Sequence, residues 1–94
     1  MRIEATGKPL GCKLIRITAD VEDGLIRTFS IRGDFFASPE EGFERAEARL
    51  AGTPAAELEA RFDRLLAEEG VAAQGINGSG LAELFRSTLE KMEG

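Results

Sequence analysis

The sequence contains no histidine, no tryptophan, no tyrosine and one cysteine, Cys12. Without imidazole, a nucleophile activated by histidine is excluded, as are histidine-ligated metals and histidine pH switches. One thiol neither closes an internal disulfide nor builds a thiolate zinc site. Six phenylalanines do all the aromatic work, so no phenol or indole is available to anchor a ligand. No apolar run approaches the roughly 20 residues of a bilayer span. Glu4 interrupts the N-terminal stretch where a signal peptide needs continuous apolar residues, and a transit peptide's Arg- and Ser-rich character is absent. The expected location is the cytoplasm, with no membrane partner. A net charge of −5 speaks against nucleic acid, whose phosphates attract the opposite sign.

What is present is enough for one hydrophobic core. With 94 residues, 43% of them hydrophobic, the chain is expected to form a single domain over 1–94. Charge divides it: residues 1–33 carry six basic and four acidic side chains, whereas residues 34–94 carry six basic and thirteen acidic ones. The front is mildly basic and the back acidic.

The hydrophobic period changes at the same place. Ile15, Ile17, Ala19 and Val21 alternate with Arg16, Thr18, Asp20 and Glu22, the pattern of a half-buried strand. A second strand follows, with Leu25, Phe29 and Ile31 on one face and Ile26, Thr28, Ser30 and Arg32 on the other. Between them, Glu22-Asp23-Gly24 signals a hairpin. A two-residue loop would pair Ile17 with Ser30 and split the apolar faces. A three-residue loop is therefore expected, pairing Val21 with Leu25, Ile17 with Phe29 and Ile15 with Ile31, with Gly24 at positive φ and Arg27 on the buried face near the turn. A third strand is expected at Arg2–Thr6, before the turn 7–11.

After Phe36 the period becomes helical. Ser38-Pro39-Glu40-Glu41 reads as an N-cap, a first-turn proline and a capping-box glutamate, followed by Phe43, Ala46 and Leu50 on one face. Thr53-Pro54 repeats the cap and proline ahead of Leu58, Phe62, Leu65 and Leu66, ending at Gly70. Residues 71–80 read as a Gly-rich loop, with Asn77 or Ser79 capping a last helix whose apolar side holds Leu81, Leu84, Phe85, Leu89 and Met92. Strands over 2–36 and helices over 38–93 give an α+β fold, a small antiparallel sheet of two to three strands backed by three helices.

Two glycine clusters fail as phosphate cradles. The run from Gly7 to Leu14 has its second glycine one place too early for a P-loop and a leucine where Mg²⁺ needs a hydroxyl. Gly75-Ile76-Asn77-Gly78-Ser79-Gly80 has no preceding strand in this reading and the wrong glycine order for a dinucleotide site, which leaves a helix-start loop. Paired glutamates at helical spacing read as solvated faces or as favourable charge near helix N-termini.

The run from Gly11 to Glu41 is more specific. Gly11-x-Lys13-Leu14-Ile15-Arg16, the two strands around Glu22-Asp23-Gly24, then Gly33-Asp34-Phe35-Phe36-x-x-Pro39-Glu40-Glu41 resemble the accessory, C-terminal-type domain of lipoate–protein ligases. In that family the domain trails a catalytic domain or stands as a separate subunit, and a chain starting at its own methionine is expected to be the latter. The resemblance implies a fold related to the scaffold proteins of iron–sulfur assembly (SufE/NifU-like). It also implies a job: joining a catalytic ligase subunit in a heterodimer and enabling ATP-dependent activation of lipoate to lipoyl-adenylate. Lipoyl transfer would belong to the catalytic subunit, and acceptor lipoyl domains would be met indirectly. The chain would bind no cofactor alone and be catalytically silent; ATP, Mg²⁺ and lipoate would enter in the complex. Cys12 departs from the pattern, standing where a glycine or another small residue is expected. The alternative is a non-catalytic scaffold or carrier-binding protein of sulfur or cofactor metabolism.

Within that frame, Lys13 is the best-placed cation to complete a partner's site; as a strand-end lysine it also reads as plainly solvated. Gly33 and Asp34 read as a strand exit and an Asx turn, or as a contact. Phe35 and Phe36 point oppositely in an extended segment, so one packs and the other lies outside the core. Leu14, Arg16, Thr18, Ile26, Thr28, Ser30 and Arg32 share the sheet face without helices, with Arg16 and Arg32 on diagonal positions. That face and its Lys13 end are the expected partner-facing surface, the alternative being an ordinary wet sheet face.

Overall fold

Alternation of apolar and polar residues makes the first half of the chain a meander of three antiparallel strands: β1 (Arg2–Gly7), β2 (Ile15–Glu22) and β3 (Leu25–Gly33), in spatial order β1-β2-β3. The structure, a computed structural model, describes residues 1–93. A short strand β4 (Phe36–Ser38) leads into helix α1 (Glu40–Ala48), and a 3₁₀ turn at Ala55–Glu57 precedes α2 (Leu58–Glu68). Strand β5 (Ala72–Gln74) and helix α3 (Gly78–Glu93) complete the chain. The α+β class with a three-stranded antiparallel sheet and three helices is as expected; β4 and β5 form an additional two-stranded ribbon.

The hairpin departs from expectation. Asp23 (φ 53°) and Gly24 (φ 76°) form a two-residue turn with both residues left-handed, and Val21 pairs with Ile26, not Leu25. Parity is restored by a bulge: Asp20 pairs with Thr28, leaving Arg27 as the extra residue, so Ile17 meets Ile31 and Ala19 meets Phe29. The bulge turns Ile26 into the core, where it is fully buried, and sends Arg27 outward to within 3.6 Å of Glu22. Uninterrupted alternation would place both residues on the opposite sides.

The core lies between the inner sheet face and the helices. Ile3, Ile15, Ile17, Ala19, Val21, Phe29 and Ile31 meet Phe43 and Ala46 of α1, Leu58, Phe62, Leu65 and Leu66 of α2, and Leu81 and Phe85 of α3. Burying each larger aliphatic or aromatic chain contributes roughly 1.5–3 kcal/mol. Phe29 packs on Phe85 with ring centroids 5.8 Å apart, and Phe43 meets Phe62 edge-on at 6.3 Å. Met92, expected on the packed side of the last helix, is exposed.

Neither the expected capping box at Ser38 nor the expected cap at Thr53 forms. Ser38 pairs with Ala72 in the ribbon and Pro39 is extended (φ −73°, ψ 149°), so α1 starts at Glu40 without a side-chain cap. Glu40 and Glu41 still favour its first turn electrostatically. Thr53 is buried beside the hairpin, where its carbonyl accepts from the Ile26 N–H at 2.8 Å; it too caps nothing, and α2 begins after the 3₁₀ turn. Gly70 (φ 67°) ends α2 as expected, in a Schellman motif closed by Val71 N–H to the Leu66 carbonyl at 2.9 Å. Asn77 caps α3, its Oδ1 accepting from Gly80 N–H at 2.7 Å, while Asp63 of α2 accepts from Gly78 N–H at 3.0 Å. Arg45 donates to Glu69 at 2.7 Å and Arg49 at 3.2 Å, tying α1 to the end of α2.

The two edges of the sheet differ. On β3, Ile26 exchanges hydrogen bonds with the segment at Gly52 and Thr53, and Ile31 N–H donates to the Glu47 carboxylate at 2.6 Å. On β1, Met1 and Val21 exchange backbone bonds at 2.8 Å in both directions, which by alternation directs the Ile3, Ala5 and Gly7 amides toward β2. Arg2, Glu4 and Thr6 therefore turn their backbone groups outward.

Candidate functional site

The sheet face away from the helices carries one polar residue per strand in successive rows. Register places Thr6 beside Arg16 and Arg16 beside Arg32; the next rows are Glu4, Thr18, Ser30 and Arg2, Asp20, Thr28. Arg16 and Arg32 are thus directly opposite, not diagonal, and Ile26 is absent from this face because the bulge buries it. Leu14, expected here, is 43% exposed.

The remaining candidates gather at the Gly33 end. Gly33 is packed so tightly that a Cβ would lie 2.9 Å from the Ile15 Cα and collide with the Leu14 carbonyl. The same carbonyl accepts from Asp34 N–H at 2.9 Å, so the strand exit is fixed by backbone contact. Phe35 is half-buried with its ring 5.1 Å from Phe43, whereas Phe36 is 64% exposed, the opposed orientation expected of adjacent residues. Lys13 is exposed; its N–H donates to the Gly75 carbonyl at 2.8 Å and its stem lies against Gly75. The short strand β5 thus brings residues 74–75 beside Lys13 and Phe35, a juxtaposition the sequence did not reveal.

Two cavities meet at Arg32. One, of about 310 Å³, has a floor of Ile31, Phe35, Ala37 and Phe43 and a rim of Glu40, Glu44 and Glu47. The other, of about 210 Å³, lies on the open face among Thr6, Leu14, Arg16, Arg32, Gly33 and Asp34. Arg32 approaches Glu47 at 3.7 Å, with its side chain 74% exposed; among the described residues Arg16 makes no ion pair. The sequence alone does not point to Thr6, since only the β1–β2 pairing places it in the arginine row.

The glycine cluster at 75–80 is filled by the protein itself. Asp63 occupies the start of α3, and a Cβ on Gly80 would collide with the sulfur of buried Cys12. These glycines serve close packing between α3 and its neighbours. No described helix is long and apolar enough to cross a membrane.

No protein-family model matches the chain, and no match is found among curated proteins. Among solved structures, the fold is similar to a chain from an archaeal lipoylation system, described as a bipartite lipoate protein ligase and its E2 lipoyl domain from Thermoplasma acidophilum. The similarity has a TM-score of 0.74 at 26% identity, covering 89% of this chain and 93% of that one. At 89% of the chain, it is a likeness of most of the α+β fold.

Proposed function

We propose that this chain is the accessory subunit of a two-part lipoate–protein ligase, joining a separate catalytic subunit and enabling ATP-dependent activation of lipoate to lipoyl-adenylate. The observation that carries the reading is the fold likeness to a component of the Thermoplasma lipoylation system over 89% of the chain. The Gly11–Glu41 pattern supports the accessory component over the lipoyl domain. Lipoyl transfer stays with the catalytic subunit, lipoyl-domain acceptors are met through it, and ATP, Mg²⁺ and lipoate are bound in the complex. Kinship with SufE/NifU-like scaffolds and a cytoplasmic location belong to the same reading.

The docking surface in this proposal is the open sheet face with its Gly33 end: Lys13, Arg16, Arg32, Gly33, Asp34, Phe35 and Phe36. Leu14 and Phe36 supply exposed apolar area beside cations, a composition suited to a partner surface. Lys13, anchored through its backbone to Gly75, can project a cation toward a partner's reaction centre from a fixed base.

The test measures pyrophosphate release from ATP and lipoate with this chain, a catalytic ligase subunit, or both. Release by the mixture alone is expected, with no lipoyl adduct on this chain's Lys8, Lys13 or Lys91 by mass spectrometry. Release by the isolated chain would make it an independent enzyme. A lipoyl adduct on one of the lysines would make it an acceptor.

A further inference from the structure

We infer that Thr6, Arg16 and Arg32 form a phosphate-binding site on the open face of the sheet. The three residues sit in one row, one on each strand. Neighbouring Cβ atoms in such rows lie roughly 4.5–5.5 Å apart. Two guanidinium-bearing residues directly opposite one another disfavour the sheet unless an anion lies between them. Arg16 has no ionic partner among the described residues, whereas Arg32 donates to the Ile31 carbonyl at 3.0 Å and stands 3.7 Å from Glu47, an exposed arrangement it must leave to meet an anion beside Arg16. The cavity of about 210 Å³ they line is open to solvent and reaches the Thr6 side chain.

The donor set selects the ligand's chemistry. Two planar forks and a hydroxyl offer more hydrogen bonds than the two oxygens of one carboxylate can accept from a row three strands wide. The three terminal oxygens of a phosphate group can accept from all three. Asp34 lines the same cavity and opposes the anion, leaving two cations against one carboxylate. Glu4, in the adjacent row, disfavours anions farther along the face and confines the site to the Gly33 end. The inference goes beyond the lipoylation reading and needs only the free chain, so the two stand or fall separately.

The experiment is a titration of the ¹⁵N-labelled chain with inorganic phosphate at constant ionic strength, using chloride as the balancing salt. Saturable shifts are expected at Thr6, Leu14 to Arg16 and Arg32 to Asp34. AMP should give the same shifts at similar concentrations, because recognition rests on the phosphate, and glutarate should bind several-fold more weakly. Arg16→Gln with Arg32→Gln should weaken binding at least tenfold, and Asp34→Asn should tighten it. Each single arginine variant should lose several-fold, which provides the comparison if the double variant does not fold. Absence of saturable shifts at these residues, glutarate binding equal to phosphate, or unchanged affinity in folded arginine variants would overturn the site.

Discussion

Replacing Arg16 with glutamate is expected to make the protein more stable while removing its capacity to bind anions. Arg16 and Arg32 face each other across β2 and β3, and Asp34 N–H bonding to the Leu14 carbonyl identifies theirs as a hydrogen-bonded pair. Their Cα atoms are then about 5.5 Å apart. Two unit charges about 7 Å apart repel by about 0.6 kcal/mol in water, an upper bound for this pair because the Arg32 guanidinium turns to the Ile31 carbonyl and to Glu47. Physiological salt screens this to about 0.25 kcal/mol. Reversing one charge turns that penalty into a gain of similar size, for a change of about 0.5 kcal/mol, within the range of cross-strand charge pairs. For a domain of this size the melting temperature should rise by about 2–4 °C. Thermal and urea unfolding of wild type, Arg16→Gln and Arg16→Glu should rank stability in that ascending order at low salt, with the differences collapsing at about 1 M salt. A destabilised Arg16→Glu, or a gain that persists at high salt, would refute the repulsion argument.

Three other outcomes follow from particular contacts. Gly24→Val should cost roughly 1–2 kcal/mol in urea unfolding, because its φ of 76° strains a β-branched residue although no atom lies within 4 Å of the added Cβ. Glu47→Ala should cost about 1.5–3 kcal/mol by removing the charged acceptor of Ile31 N–H, and Glu47→Gln should recover part of it in the same assay. The hydrogen bond from Arg45, then that from Arg49, holds Glu69 below its usual value of 4.5, so its stabilisation is present above that pH and is lost as pH falls through the lower folded value; Glu69→Gln should flatten the acid limb of a stability–pH curve.

The parts of the fold legible in sequence were those governed by a single local pattern. Leu58, Phe62, Leu65 and Leu66 are buried together and Gly70 terminates their helix, because the apolar stripe and the left-handed glycine leave little alternative. The hairpin sequence states its parity problem but admits two solutions. Both a longer loop and a bulge restore the facing of Ile17, and the bulge prevails with Asp23-Gly24 in the left-handed turn. Ser38 and Thr53 depart from expectation for another reason: each has the side chain of a cap, but tertiary pairing claims its backbone first. Ala72–Gln74 carried no strand signal, since three small or polar residues become a strand only when Phe36–Ser38 arrives beside them. Among the candidate residues, the arginine face and the opposed phenylalanines were legible from alternation, whereas Thr6 depended on a register set across a seven-residue turn.

The unequal edges of the sheet give the molecule a direction of growth. With Ile26 and Ile31 already bonded along the outer side of β3, another strand is added more readily beside β1, where Arg2, Glu4 and Thr6 hold their amides toward water. In deuterated solvent those three amides should exchange early while Ile26 and Ile31 remain protonated far longer, although all five belong to edge strands. Strand-mediated association, whether with a binding partner or in aggregation, is therefore directed to β1, where the alternating charges of Arg2 and Glu4 restrict which sequences can pair.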